Sequence, residues 1–460
     1  MYWGLNKKTR DAITMKILLV LPHPNSKRKF LAKFQYPCLT LQQLASLTPK
    51  KHSIDIVDER YAKIDFNKKY DLVGISCLTY NSLRGYEIAK IFRKKKIPVV
   101  LGGYHPSLMP DEASKHADSI VIGEAEYIWP QLLKDVKKGK LKKIYKNDKV
   151  IKAEDIPPAR HDIGVYTPFA QAVQATRGCP VGCEWCAMNR VEGKVFRARA
   201  IKDIIKEMKT IPQNRIFFAD ASLTINPKYT KKLFKEMKKL GKTFECFGNI
   251  NVIARDDELL RLSKEAGVKK WYLGIESISQ KNIDQAGKST NKVGDYKKAI
   301  QKIKSYNIEV TGFFIFGLDD DTYDVFEKTL HAMFEWGLDE ASFSILTPYP
   351  GTRLFERLEK EGRITCYDWS RYDEGTVNYI PKKLNEEELL RGIRNIALDF
   401  YSVRNCIKRS LVTSDFNYFK MFEKFTINFT LRDFYKNEKL PTEIELNDMI
   451  NNGRLKDKVL

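Results

Sequence analysis

The chain has 460 residues, 43% of them hydrophobic and 12% aromatic, which excludes disorder and allows two or three domains with real cores. The net charge is +22, and no run approaches the ~20 apolar residues of a transmembrane helix. The eight cysteines do not look like a disulfide framework, because three crowd into one short stretch. Met1 to Arg10 lack the apolar core of a secretory signal, and a reducing, cytoplasmic location is expected.

Residues 15–21 form a short apolar run that predicts a buried strand opening into Pro22-His23-Pro24-Asn25. Further strands are predicted at 53–57, 72–76, 98–101 and 119–122, with helical patterns at 39–47, 83–94 and 111–116 between them. Such alternation argues for a doubly wound parallel sheet, which binds ligands outside the carboxyl ends of its strands. Those ends carry Asp58-Glu59, Ser76-Cys77-Leu78-Thr79, Gly102-Gly103-Tyr104-His105 and Gly123-Glu124-Ala125-Glu126. Paired glycines let backbone approach a flat or phosphate-bearing ligand. No G-x-G-x-x-G follows the first strand, so a dinucleotide site is disfavoured. Cys77 reads as a small buried residue. Residues 134–149 hold eight lysines, a run that would attract an anionic membrane surface. No RNA-binding module accompanies it, and no specific nucleic-acid partner is expected.

Residues 155–168 read as a connector, with Pro157-Pro158 and Pro168. Alternation then resumes. Strands are predicted at 170–176, 215–219, 243–249, 270–275, 309–316 and 340–346, and helices at 200–209, 228–240, 257–266, 293–306 and 323–336. Six such units are too few for a closed eight-stranded barrel. After the first strand comes Thr176-Arg177-Gly178-Cys179-Pro180-Val181-Gly182-Cys183-Glu184-Trp185-Cys186, with cysteines spaced C-x3-C-x2-C. Thiolates are soft ligands for iron–sulfur clusters and zinc. Three can wrap one face of a cubane cluster and leave one iron open. Zinc would need a fourth ligand and usually a second C-x2-C pair, which the chain lacks. The later strand ends carry Asp220, Asn249, Asn251, Arg255, Glu276, Ser277, Gly317 and Tyr349-Pro350-Gly351-Thr352, where β/α barrels collect active-site residues. Cys246 alternates with strand residues and reads as structural.

The cysteine spacing, with Trp185 before the last cysteine, resembles the signature of radical S-adenosylmethionine (SAM) enzymes. The series V-D-E, G-I-S, L-G-G-Y-H-P and V-I-G-E-A-E resembles the cobalamin-binding domain that precedes many radical SAM barrels. The segments F-A-D-A-S-L-T, G-I-E-S, F-F-I-F-G-L and T-P-Y-P-G-T are similar to the cobalamin-dependent subclass. The D-x-H-x-x-G pattern that places a histidine below cobalt is absent.

The resemblance implies a mixed α/β architecture. A doubly wound cobalamin-binding domain spans 15–150, a partial (β/α)6 radical SAM barrel spans 165–375, and a helical region spans 376–460. It implies a [4Fe-4S] cluster on Cys179, Cys183 and Cys186. It further implies SAM contacts at Trp185, Asp220, Arg255, Glu276 and Gly317, and cobalamin contacts at Ser76, Thr79, Gly102, Gly103, His105, Gly123 and Glu124. Residues 384–405 are helical in pattern, opening with Asn385-Glu386-Glu387-Glu388, and an aromatic-rich segment follows from 416 to 435. This tail resembles relatives that act on hopanoid or isoprenoid lipids, and reads as a packed cap or a lining for an apolar substrate.

The expected activity is methyl transfer to an unactivated carbon of a small molecule or lipid, through a 5′-deoxyadenosyl radical and methylcobalamin. An electron donor such as flavodoxin or ferredoxin would serve it. The alternative is a cyclisation, oxidation or C–C coupling on the same scaffold. A methylthiotransferase would need a second three-cysteine set, whereas only Cys38 and Cys77 precede Cys179.

Overall fold

Alternating apolar residues fill both faces of the first sheet. The structure, a computed structural model, describes residues 14–23, 38–164, 170–413 and 418–437. Pro24, Asn25, Pro168, the start of the chain and residues 416–417 lie outside the described residues. Strands β1 (Lys16–Leu21), β2 (Ser53–Asp58), β3 (Leu72–Ser76), β4 (Val99–Gly102), β5 (Ser119–Ile122) and β6 (Ile144–Lys146) form one parallel sheet in the order β2-β1-β3-β4-β5-β6. Side chains of successive strand residues point to opposite faces. Ile17, Leu19 and Val100 therefore pack on the helices Leu39–Leu47 and Trp129–Lys137. Leu18, Val20 and Leu101 pack on Ser82–Lys94 and Pro110–His116. Each such side chain contributes about 1.5–3 kcal/mol on burial.

Strand β6 and the helix Trp129–Lys137 were not expected from sequence. The strand is three residues long and includes a lysine, so it carries too little period-2 signal; the helix begins with a proline in its first turn.

Strands β7 (Ala170–Val173), β10 (Arg215–Phe218), β11 (Thr243–Gly248), β12 (Val268–Glu276), β13 (Glu309–Phe316) and β14 (Glu340–Ile345) form a second parallel sheet, ordered as in the chain. Its first and last strands, β7 and β14, are not neighbours, so the barrel is open, as six units require. A short antiparallel pair, β8 (Thr176–Arg177) with β9 (Arg197–Ala198), brackets the cysteine loop. Helices after each strand close the core over Phe218, Phe234, Trp271, Ile300 and Phe314.

The tail begins with a capping box, in which Asn385 and Glu388 satisfy each other's backbone N–H at the start of the helix Glu386–Phe400. That helix stops at Tyr401-Ser402, where one longer helix was expected, and Val403–Thr413 and Tyr418–Asn437 follow. The break places Tyr401 against edge strand β14. Its hydroxyl donates to the Ala341 carbonyl at 2.7 Å and accepts from the Ala341 N–H at 3.0 Å. The Tyr435 hydroxyl accepts from the Phe343 N–H at 3.3 Å. Two phenols thus satisfy ladder groups that an edge strand leaves open. Among the described residues no helix is long and apolar enough to cross a membrane.

Candidate functional site

The cysteine loop is pinned from several sides. Gly178 has φ +79°, and a β-carbon there would collide with the Val195 carbonyl, so glycine is required. The Cys179 N–H donates to Gly193 O at 3.3 Å, and that of Glu184 donates to Ala286 O at 2.9 Å. Leu354 N–H donates to Glu184 O at 3.1 Å, and the Arg353 guanidinium donates to Gly182 O. The three cysteines are half-buried and carry free thiols. Burial raises each pKa, that of Cys183 to about 12; Cys179 feels the charge of Cys186, and Cys183 that of both other cysteines. The three thiols of this one short loop therefore lie near one another. Among the described residues no three His, Cys, Asp or Glu side chains converge as a single-ion cage. Three soft sulfurs in one loop, with no fourth protein ligand gathered there among the described residues, fit an iron–sulfur cluster with an open iron.

Beside this loop lies a buried ion pair, Lys288 with Glu276. The register of β12 against β13 slips between Gly274 and Glu276, and Glu276 has φ +65°. Left-handed backbone at a non-glycine residue is sparsely populated and is held by its surroundings. A β-carbon on Gly274 would strike both the Glu276 carboxylate and the Lys288 ammonium, so glycine makes room for the pair. Burial alone would lower the Lys288 pKa; Glu276 and the Cys183 thiol outweigh it and hold the group charged. Sequence reasoning found Glu276 and missed Lys288, since no pattern separates this lysine from the many others.

Trp185 lines a cavity of about 300 Å³ at the carboxyl ends of β13 and β14, with Leu318, Leu346 and Leu354 as apolar walls and the charged side chains of Glu184, Asp319, Arg357, Glu361 and Lys382 around them.

Three residues expected at SAM have protein partners of their own. Asp220 is buried and faces the start of the cysteine loop: it accepts from the Thr176 N–H, from Thr176 Oγ1 at 2.6 Å and from the Ala175 N–H at 3.2 Å. Burial raises its pKa to about 7 against those hydrogen bonds. It positions the loop. Arg255 ends the helix Ile250–Arg255 with a side chain 67% exposed and paired with Asp295. Gly317 has φ +90°, and a β-carbon there would meet the Tyr379 hydroxyl, which donates to the Gly317 carbonyl at 2.5 Å. The glycine is needed for Tyr379, and Asp321 caps the same turn through the Gly317 and Leu318 N–H groups.

On the first sheet, neighbouring strand ends bring Ser76, Gly102, Gly103 and Gly123 together. Gly103 has φ +96°, and a β-carbon would collide with Cys77 backbone. A β-carbon on Gly123 would meet nothing within 4 Å, and one on Gly102 only Val121 at 3.8 Å. With Leu78 exposed nearby in sequence, these ends form a shelf that, among the described residues, is little obstructed over Gly102 and Gly123, which fits a flat macrocycle such as cobalamin. Thr79 is buried in the turn before the helix Ser82–Lys94, its carbonyl accepting from Ser82 Oγ at 2.9 Å.

His105 does not face the shelf. The short helix Tyr104–Leu108 carries it inward, fully buried, to Tyr86 Oη at 3.1 Å and Glu112 at 3.4 Å, with its ring against Trp369. Glu124 is engaged by two arginines. It accepts from Arg177 at 2.8 Å and from Arg197 at 2.7 Å, while Glu126 accepts from Arg177 at 2.5 Å. All four side chains are nearly buried. Arg177 immediately precedes Gly178 and Cys179, so two carboxylates after β5 clamp the root of the cysteine loop. Tyr104 donates to Glu192 at 2.7 Å from the same side. The shelf and the thiols are therefore held beside each other.

The comparisons agree with this arrangement. The model of the Radical SAM superfamily matches residues 173–333, that of the B12 binding domain residues 52–133, and a domain of unknown function (DUF4070) residues 352–425. Bacteriochlorophyllide d C-12(1)-methyltransferase of Chlorobaculum tepidum is 31% identical over 386 residues, 81% of this chain and 84% of the relative. The anaerobic magnesium-protoporphyrin IX monomethyl ester cyclase of Cereibacter sphaeroides is 29% identical, over 66% of this chain and 55% of the relative. The radical SAM methyltransferase TsrM of Kitasatospora setae, solved with cobalamin and a [4Fe-4S] cluster, matches with a TM-score of 0.65 at 14% identity, over 92% of this chain and 100% of that one. At that identity the likeness is one of fold. Taken with the thiol ring and the shelf, these matches establish that the chain belongs to the radical SAM enzymes that carry an N-terminal B12-binding domain.

Proposed function

We propose that this protein is a cobalamin-dependent radical SAM methyltransferase acting on an unactivated carbon of a small, largely apolar molecule. The observation that carries the reading is the clamp from Glu124 and Glu126 to Arg177, which holds the shelf and the thiol ring side by side. Two cofactors that act on one substrate need this proximity, because the protein's task is positioning. When bound, the cluster cleaves SAM to a 5′-deoxyadenosyl radical and cobalamin carries the methyl group. Cys179, Cys183 and Cys186 would hold the cluster. Trp185 and its cavity would take the adenosyl moiety of SAM, with Glu276 and Lys288 beside the cluster. Ser76, Gly102, Gly103 and Gly123 would seat cobalamin. In this reading residues 15–150 hold cobalamin, 165–375 generate the radical, and the described helices of the 376–460 region cap the barrel. An external one-electron donor of the flavodoxin or ferredoxin kind completes the system.

The test is anaerobic purification with cobalamin supplied, followed by metal analysis and an assay with labelled SAM. About four irons and one cobalamin per chain, with label passing to added reduced cobalamin, support the reading. A second reading, ring formation on the same scaffold, is favoured by the similarity to the cyclase of Cereibacter sphaeroides. It predicts 5′-deoxyadenosine formation with no methyl transfer to cobalamin.

A further inference from the structure

We propose that the lysine-rich edge of the N-terminal sheet is a docking surface for an anionic phospholipid bilayer. Residues 134–149 contain eight lysines and two aspartates. The last turn of the helix Trp129–Lys137, the turn after it and edge strand β6 follow one another directly, so they bring this charge to one edge of the sheet. Lys134, Lys138, Lys140, Lys142, Lys143, Lys146 and Lys149 are exposed. The acids do little to offset them. Asp135 is buried under hydrogen bonds from Tyr145 and Gln131, and Asp148 pairs with Lys146 alone.

Lysine on an edge strand also deters pairing with other chains, but only Lys146 of the eight lies within β6. The second component is apolar. Ile144 is 47% exposed and Val150 56% exposed, and Ile144 shares the outward face of β6 with Lys146 while Tyr145 points in. Cations that approach headgroups around aliphatic side chains that enter the interface are the two components of peripheral lipid binding. A single-stranded nucleic-acid surface would call instead for exposed aromatic groups among the lysines, and the one aromatic residue in the run, Tyr145, is buried. This inference does not depend on the cofactors.

The test is co-sedimentation of the full chain with phosphatidylcholine vesicles, with and without about one-third phosphatidylglycerol. The chain is expected to bind the anionic vesicles only, and less as salt is raised. At about fivefold per lysine, K138Q/K140Q/K142Q should bind about a hundredfold more weakly. K202Q/K206Q/K209Q, on the exposed side of the helix Ile201–Thr210, should bind as the parent does. I144S/V150S should lose the salt-resistant part of the binding. Equal losses in the two lysine variants would mean that net charge alone acts and would overturn the proposal, as would absence of vesicle binding. Tighter binding to an RNA duplex than to vesicles at the same salt, lost in the 138/140/142 variant, would overturn it in favour of nucleic acid.

Discussion

Replacing Glu124 by glutamine tests whether the carboxylate clamps the cysteine loop or contacts cobalamin. Glu124 accepts from Arg177 at 2.8 Å and from Arg197 at 2.7 and 2.9 Å, with the guanidinium side chains 7% and 5% exposed. Glutamine keeps the shape and removes the charge. Arg197 would then face no carboxylate, only the carbonyls of Ile151, Glu192 and the new amide, whereas Arg177 would keep Glu126. Breaking a buried pair costs about 3–5 kcal/mol; with one carboxylate left, we take about 3 kcal/mol. At about 2–4 °C per kcal/mol for cooperative units of this size, the cobalamin-free protein should melt about 6–12 °C lower. The assay is anaerobic calorimetry of the parent, E124Q, R177M and the double variant. A coupling of about 2 kcal/mol between the two sites is expected, since they share a network. Additive losses, or an E124Q protein melting within about 1 °C of the parent, would refute the clamp. If cobalamin affinity fell in E124Q without any change in melting, Glu124 would instead be a cobalamin contact.

Three further outcomes are expected. Lys288→Met removes a buried cation beside Cys183 and Cys186; the cluster's reduction potential should fall, because reduction adds negative charge there, and an anaerobic redox titration followed by electron paramagnetic resonance reads the shift. Gly317→Ala should destabilise by about 1–3 kcal/mol through left-handed backbone and the collision with Tyr379; Y379F should restore part of that loss in urea titrations, and no restoration would separate the two causes. Burial raises Asp220 and Asp321 from 3.8 to about 7. The folded state therefore binds their protons more tightly than the unfolded state does, and stability should fall as pH rises from about 4 to about 7. D220N/D321N should flatten that slope in urea midpoints measured across the window.

The β/α alternation and the cysteine loop were legible because both are local. Residues 72–76, 119–122, 257–266 and 309–316 match their predicted elements to the residue, since apolar period and turn residues mark them. Orientation at the strand ends was not legible. His105 follows two glycines after β4, which suggests a ligand pocket, but one helical turn rotates it toward Glu112 and Trp369. Glu124 and Asp220 sit at strand ends, yet their partners, Arg177 with Arg197 and the Thr176 backbone, come from 44 to 73 residues away in sequence and meet them only in the fold. Gly317 was expected at SAM, but what meets it in the fold is Tyr379.

The phenols of Tyr401 and Tyr435 on β14 have a consequence for handling the protein. A barrel that does not close keeps a strand whose ladder groups could recruit a strand from a neighbouring molecule. Tyr401 occupies both ladder groups of Ala341, and Tyr435 the N–H of Phe343. A chain shortened to end before Tyr401 would uncover this template, so an isolated catalytic core should gain self-association even with every cofactor residue in place. The tail thus acts as an insulator between copies of the enzyme, and trimming it would exchange a folded catalyst for the start of an intermolecular sheet.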